Sequence, residues 1–190
     1  MSNKLQQYNF GTWLKWWLIF LLCILGFIIY YSTGLFWKVH QSDITCICHI
    51  ITALFFLFSI RVGKESYQAC IDVSKGEEEV ADSVGESAKH QYRYWYYRMR
   101  KYYLSSDMGW FVSNHLPTLG LLGTLIGMAY VFLFSGLDMS TPAGQAAGFR
   151  GMGMALYTTI FGTICSLLLK VQLFNLKYFI DKRTGKTDGV

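Results

Sequence analysis

Leu116-Pro117-Thr118-Leu119-Gly120-Leu121-Leu122-Gly123-Thr124-Leu125-Ile126-Gly127-Met128 contains no charged residue and repeats glycine and threonine at helical spacing. At 3.6 residues per turn Gly120, Gly123, Thr124 and Gly127 share one face of a helix. A second segment shows the same pattern, with Gly151, Ala155, Thr158, Thr159 and Gly162 on one face and Ser166 just beyond. Small residues let two membrane helices approach closely, and hydroxyls among them can bond across the contact. The two segments therefore read as a pair of membrane helices that pack tightly and carry threonines at about the same depth.

The rest of the chain supports that setting. Of its 190 residues 53% are hydrophobic, 17% aromatic and only 15% charged, with the apolar residues gathered in long blocks. Spanning a hydrocarbon core takes roughly 20 helical residues. Four blocks qualify, at Trp13–Trp37, Ile44–Ile60, Trp110–Leu137 and Gly151–Leu169, the second being the shortest. The first is too long for a signal peptide and lacks a small-residue cleavage site after Tyr31, so it reads as a retained span. The expected class is an all-α integral membrane protein with four transmembrane helices, the last two extended into the cytoplasm. Along the chain this gives an N-terminal membrane hairpin (1–62), a cytoplasmic loop or helical region (63–108), a core with the two glycine–threonine segments (109–180) and a tail (181–190).

Basic residues set the orientation. With a cytoplasmic amino terminus, the inside segments hold Lys4, Lys15, the eight basic residues from Arg61 through Lys101, and Lys170, Lys177, Lys182, Arg183 and Lys186, leaving only Lys38 and Arg150 outside. Both termini are then cytoplasmic, in a multi-pass membrane protein. The net charge of +5 is accounted for by topology, so it does not call for nucleic acid. The stretch Gln91–Tyr103 does interleave aromatic and basic residues, a pattern that can stack on single strands. Its Tyr92, Trp95, Tyr96, Met99 and Tyr103 share a helical face just inside a span, however, which suits anchoring at lipid headgroups better. No nucleic-acid partner is expected.

Several chemistries find no constellation. The five cysteines, Cys23, Cys46, Cys48, Cys70 and Cys165, are odd in number and scattered, which gives no disulfide framework. Cys46-Ile47-Cys48-His49 offers soft ligands without a second pair, and small buried hydrophobes are the better reading, so no metal site is expected. Gly185-Lys186-Thr187 lacks the upstream glycine and the following helix of a phosphate loop. No nucleophile stands at a recognisable spacing from a base, so neither catalysis nor a cofactor is expected.

The acids carry the next inference. All twelve, from Asp43 to Asp188, fall outside the four blocks. A proton or sodium path needs an intramembrane group that takes up and releases the ion, usually a carboxylate. This chain offers hydroxyls, so a partner must supply the acid if ions are conducted. Thr124, Thr158 and Thr159 then have two readings: back-bonding to carbonyls within a close helix contact, or lining a narrow polar path.

At this point Leu116–Met128, followed after a short turn by Gly153-Met154-Ala155-Leu156-Tyr157-Thr158-Thr159-Ile160-Phe161-Gly162, resembles the core of the MotA/TolQ/ExbB proton-channel family. Four spans are similar to the flagellar stator branch, whereas the loop is much shorter than a flagellar stator's. The resemblance implies a homopentamer around a dimer of a MotB/TolR/ExbD-like partner whose single transmembrane helix carries an aspartate. It implies ion flow that turns the pentamer, with the proton as the transported ion and sodium as the alternative. It also implies that Thr124 and Thr159 face the pore, that Thr158 extends the second site, and that Pro117 matches a proline at the inner end of its helix. Gly120, Gly123, Gly127, Ala155 and Gly162 fall to helix packing and partner contact. The family's proline after the second motif has no counterpart in Ser166-Leu167-Leu168-Leu169-Lys170, so no role of that proline carries over. Two other readings stay open: a non-conducting four-helix scaffold and a self-sufficient, holin-like pore.

Overall fold

In the computed structural model the described residues are 2–34, 37, 46–82, 88–134 and 140–184. Their secondary structure consists of four long helices, α1 (Ser2–Ser32), α2 (Ile47–Asp82), α3 (Ala88–Phe134) and α4 (Pro142–Arg183). Each is long and apolar enough to cross a membrane. The all-helical, four-span expectation therefore stands. Asp138, the start of the second expected span at Ile44 and the Gly185-Lys186-Thr187 tripeptide lie outside the described residues.

Two boundaries differ from the sequence reading. The helix of the second block does not stop near Ile60 but continues to Asp82, so α2 overruns its apolar block as α3 and α4 do theirs. The cause is a buried stripe, Val62, Ala69, Cys70 and Val73, whose three- and four-residue spacing holds one helical face against neighbours although the segment is polar on average. The fourth helix likewise starts ahead of its apolar block at Gly151, because α4 begins at Pro142. The Thr141 hydroxyl accepts the Gly144 N–H at 3.1 Å and Pro142 occupies the first helical position, where its missing N–H costs nothing.

The chain divides into two compact units, each drawing on all four helices. The first comprises Met1–Leu22, Phe58–Phe111 and Lys170–Val190, the second Cys23–Leu57 and Val112–Leu169. In the first, the Trp16 ring lies against Gly63, where an added Cβ would come within 2.2 Å of it. Its indole N–H donates to the Ser59 carbonyl at 3.1 Å. Ser59 in turn donates to Gln172 Oε1 at 2.9 Å, and Asn175 donates to the Thr12 carbonyl at 3.2 Å, so α1, α2 and α4 are tied by polar bonds as well as by apolar contact. The aromatic stretch of α3 divides between exposed and buried positions. Met99 and Tyr102 are buried, whereas Tyr96 is 46% exposed. The buried stripe of α3 runs on through Ser106, Gly109, Ser113 and Leu116, and those small residues select its direction.

In the second unit α1 leans on its neighbours through rings. Phe27 meets Phe56 edge-on at 5.8 Å, and Tyr30 stacks on Tyr157 and Phe161 at 6.3 and 6.1 Å. The core of this unit includes Ile51, Phe55, Leu116, Cys165 and Leu169.

Candidate functional site

In the second unit glycines let the backbones of α3 and α4 approach closely. A Cβ on Gly120 would lie 2.6 Å from the Thr158 carbonyl oxygen, and one on Gly162 would lie 2.7 Å from that of Leu116. Both obstacles are backbone, which cannot rotate aside. Gly123 and Gly127 complete the stripe, since a Cβ added there would come 3.1 Å from Thr158 Oγ1 and 3.2 Å from the Ala155 Cβ. Gly120, Gly123, Ala155, Thr158 and Gly162 are thus brought together within one chain, in the antiparallel register that sets Leu116 against Gly162. Gly151 meets the Val131 side chain, while Gly153 faces open space.

That close approach gathers the three threonines. Thr124 Oγ1 lies 2.8 Å from the Ala155 carbonyl oxygen and 3.2 Å from that of Gly120. It is 3.2 Å from Thr158 Oγ1 and also bonds Thr159 Oγ1. Thr158 Oγ1 reaches the same two carbonyls, at 2.8 Å for Ala155 and 3.0 Å for Gly120. Each hydroxyl donates once and can accept. Three hydroxyl protons and two shared carbonyls therefore form one connected set whose donor direction can reverse without any heavy atom moving. Such a set can pass a proton along or offer several oxygens to a small cation. Thr124 and Thr158 are only 3% and 5% exposed, whereas Thr159 is half-buried and forms the accessible edge.

Pro117 lies inside α3, where its missing N–H leaves the carbonyl of Ser113 without a helical partner. The Ser166 hydroxyl donates to that carbonyl at 2.7 Å. Sequence reading placed Ser166 only at the end of a stripe. Its signal was available, since the antiparallel register sets it opposite the residue four before the proline. Two more threonines sit at the surface and bond back along their own helices, Thr118 to the His115 carbonyl at 2.7 Å and Thr163 to that of Thr159 at 2.8 Å.

Among the described side chains of the second unit there is no aspartate, glutamate, lysine or arginine. The hydroxyl cluster is therefore uncharged by itself, which fits the high cost of an isolated charge at membrane depth. Cys48, Cys23 and Cys165 are buried and Cys46 is exposed at the start of α2. Among the described residues no three potential metal ligands gather.

The first unit has charges where the second has hydroxyls. Asp72 lies about 18 Å along α2 beyond Ile60, outside the apolar block. Its Oδ2 accepts the Tyr102 hydroxyl at 2.7 Å and pairs with Lys101 Nζ at 2.7 Å. Burial works against ionisation of Asp72, but the bonds from Lys101 and Tyr102 and the positive charges of Lys101 and Arg98 outweigh it and hold the carboxyl below its usual range. The same contact raises the Tyr102 phenol, through burial first and then the Asp72 bond and charge. Glu65 takes a further bond from Ser105 and pairs with Arg61 on its own helix.

Residues 105–186, from within α3 to the end of α4 and just beyond, match the MotA/TolQ/ExbB proton channel family. The resemblance read from the two glycine–threonine motifs is thereby borne out over that part of the chain. No curated protein and no solved structure matches the chain.

Proposed function

We propose that the chain is the channel-forming subunit of a proton-driven rotary motor of the bacterial inner membrane. Five copies surround a dimer of a MotB/TolR/ExbD-like single-span protein, and that partner's transmembrane aspartate takes up the ion. The observation that carries this reading is the convergence of Thr124, Thr158 and Thr159 on one oxygen-rich cluster in a unit whose described side chains include no carboxylate. Hydroxyls alone solvate an ion without accepting a proton for good. A carboxylate on a second chain completes the site.

In this reading Thr159, at the exposed edge of the cluster, meets the ion or the partner's acid, and Thr124 and Thr158 stabilise it from behind. Protonation of the acid removes its charge and changes which subunit interface the partner helix prefers, which is one step of rotation. Both termini and the parts of α2, α3 and α4 beyond the membrane are cytoplasmic. The outer turn before Arg150 contacts the partner's exposed segment. The short helical region over 63–108 suits work across the envelope, gliding or defence better than pushing a flagellar rotor.

The test is ion flux from the complex purified with its co-eluting partner and reconstituted in liposomes. Thr124→Val and Thr159→Val keep the shape and remove the hydroxyls. The expected result is assembly as in the wild type with flux reduced by roughly tenfold or more. Unchanged function in both variants would favour a packing scaffold, and comparable leak from the chain without its partner would favour a self-sufficient pore. Flux driven by a sodium gradient at fixed pH would reassign the ion.

A further inference from the structure

In the first unit the exposed faces of α3 and α4 stay apolar beyond the ends of their apolar blocks. Leu104 and Met108 stand one helical turn apart on α3, Phe174 and Tyr178 one turn apart on α4, and each is more than half exposed. The rings of Phe174 and Tyr178 stack at 6.5 Å. Both faces turn away from their own bundle, because the buried positions beside them are Tyr102, Ser106 and Gly109 on α3 and Leu173, Leu176 and Ile180 on α4. By helical rise Leu104 lies about 9 Å before Trp110, and Tyr178 about 13 Å beyond Leu169, the ends of the two apolar blocks. The headgroup layer adds only about 5 to 8 Å on each side of the hydrocarbon. Lipid therefore does not reach Leu104 or Tyr178, and exposed apolar surface of this kind marks a contact with another protein surface.

The two faces match in depth. Gly109 of α3 lies against Leu173 of α4 and the helices run antiparallel, so Met108 is level with Phe174 and Leu104 with Tyr178. A rotation about an axis normal to the membrane leaves every depth unchanged, so the same levels hold between neighbouring copies around such an axis. Contact between two different faces of one chain is the kind that closes into a ring. The charges agree with it. Asp107 is exposed beside Met108 and Lys177 is exposed beside Tyr178. Neither has an ion-pair partner among the described residues, and their levels differ by about 3 Å.

We propose that a second copy of this chain covers these faces. Leu104 and Met108 of one copy pack on Phe174 and Tyr178 of the next, and Asp107 of the first faces Lys177 of the second. This rests on the assembly of several copies given above and names the surfaces by which neighbours meet outside the membrane. Burial of the four apolar side chains supplies the attraction, and the charge pair at the edge fixes which face meets which.

The experiment cross-links two differently tagged forms of the chain, one Leu104→Cys and the other Tyr178→Cys, produced together with the co-purifying partner and treated in intact membranes with a short bismaleimide. A cross-linked pair carrying both tags is expected, absent from the background given by two wild-type chains, whose Cys46 is exposed. Met108→Cys with Phe174→Cys is a second pair at the next level and is expected to behave alike. Adding Asp107→Lys to the first chain is expected to lower the yield of the mixed pair, and adding Lys177→Asp to the second chain to restore it. Products that join two Leu104→Cys chains would overturn this contact in favour of like faces meeting. No product above background from an oligomer that still co-elutes with the partner would overturn it in favour of a face covered by lipid or by the partner, and would leave the channel reading in place. A chain that elutes with its partner as a single copy would overturn both readings.

Discussion

In the first unit the α2–α3 contact is charged: Asp72 holds Lys101 and the Tyr102 hydroxyl, and Glu65 holds Ser105. In the second unit the polar part of the α3–α4 contact, among the described residues, consists of hydroxyls and carbonyls brought together by glycines. Both contacts join the same kind of helix, and α3 takes part in both. The contrast is one of chemistry along a shared helix, a paired carboxylate in one unit and uncharged hydroxyls in the other. Where water reaches the surroundings a carboxylate stays ionised at little cost once it is paired. At membrane depth a charge is expensive, and hydroxyls that share carbonyls supply polarity without it.

The comparison breaks first at Gly120. If backbone approach creates the hydroxyl cluster, Gly120→Ala must push α4 away, since the new Cβ would meet the Thr158 carbonyl oxygen at 2.6 Å. The expected cost is about 2 to 3 kcal/mol of stability, read as a fall in thermal midpoint in detergent. Flux should fall with it, because the threonines separate. Gly153→Ala, placed where nothing lies within 4 Å, is the control and should change neither. A Gly120→Ala protein as stable as the wild type would mean that the helices tolerate a wider gap and that glycine is not what gathers the threonines.

The charged contact is sharpened by Asp72→Asn. The folded-state pKa of Asp72 is depressed, so its contribution is complete above the unfolded carboxyl value, near 4, and is lost as pH falls through the folded value. At neutral pH the substitution is expected to cost about 1 kcal/mol, a small figure because the Lys101 partner is largely exposed. The wild-type midpoint should hold level from pH 8 to 5 and then decline toward that of Asp72→Asn below pH 4. Equal acid sensitivity in the two proteins would show that other carboxylates dominate.

Much of the second unit was legible from sequence because its signals are local. Glycine and threonine at helical spacing name a close contact, and the absence of charge names the solvent. The first unit was harder to read for the same reason in reverse. Residues 61–82 look polar on average, and only the buried positions Val62, Ala69, Cys70 and Val73 reveal that α2 continues. In the aromatic stretch Tyr96 and Tyr102 are chemically alike, yet one is exposed and the other buried, a difference that composition does not carry.

The smallest expected effect tests the proline in α3. Pro117 offers no N–H to the Ser113 carbonyl four residues before it, and the Ser166 hydroxyl donates to that carbonyl at 2.7 Å from a position only 2% exposed. Side-chain bonds between membrane helices average about 0.6 kcal/mol, so Ser166→Ala should lower stability by about that much and leave assembly intact. Pro117→Ala restores the N–H and with it the helical bond from residue 117 to Ser113, so Ser166→Ala in that background should cost less than it does alone. A coupling of this sign, measured as a double-mutant cycle, would assign the serine to the proline. Equal costs in the two backgrounds would mean that Ser166 serves α4 packing alone and that the freed carbonyl is met by other means.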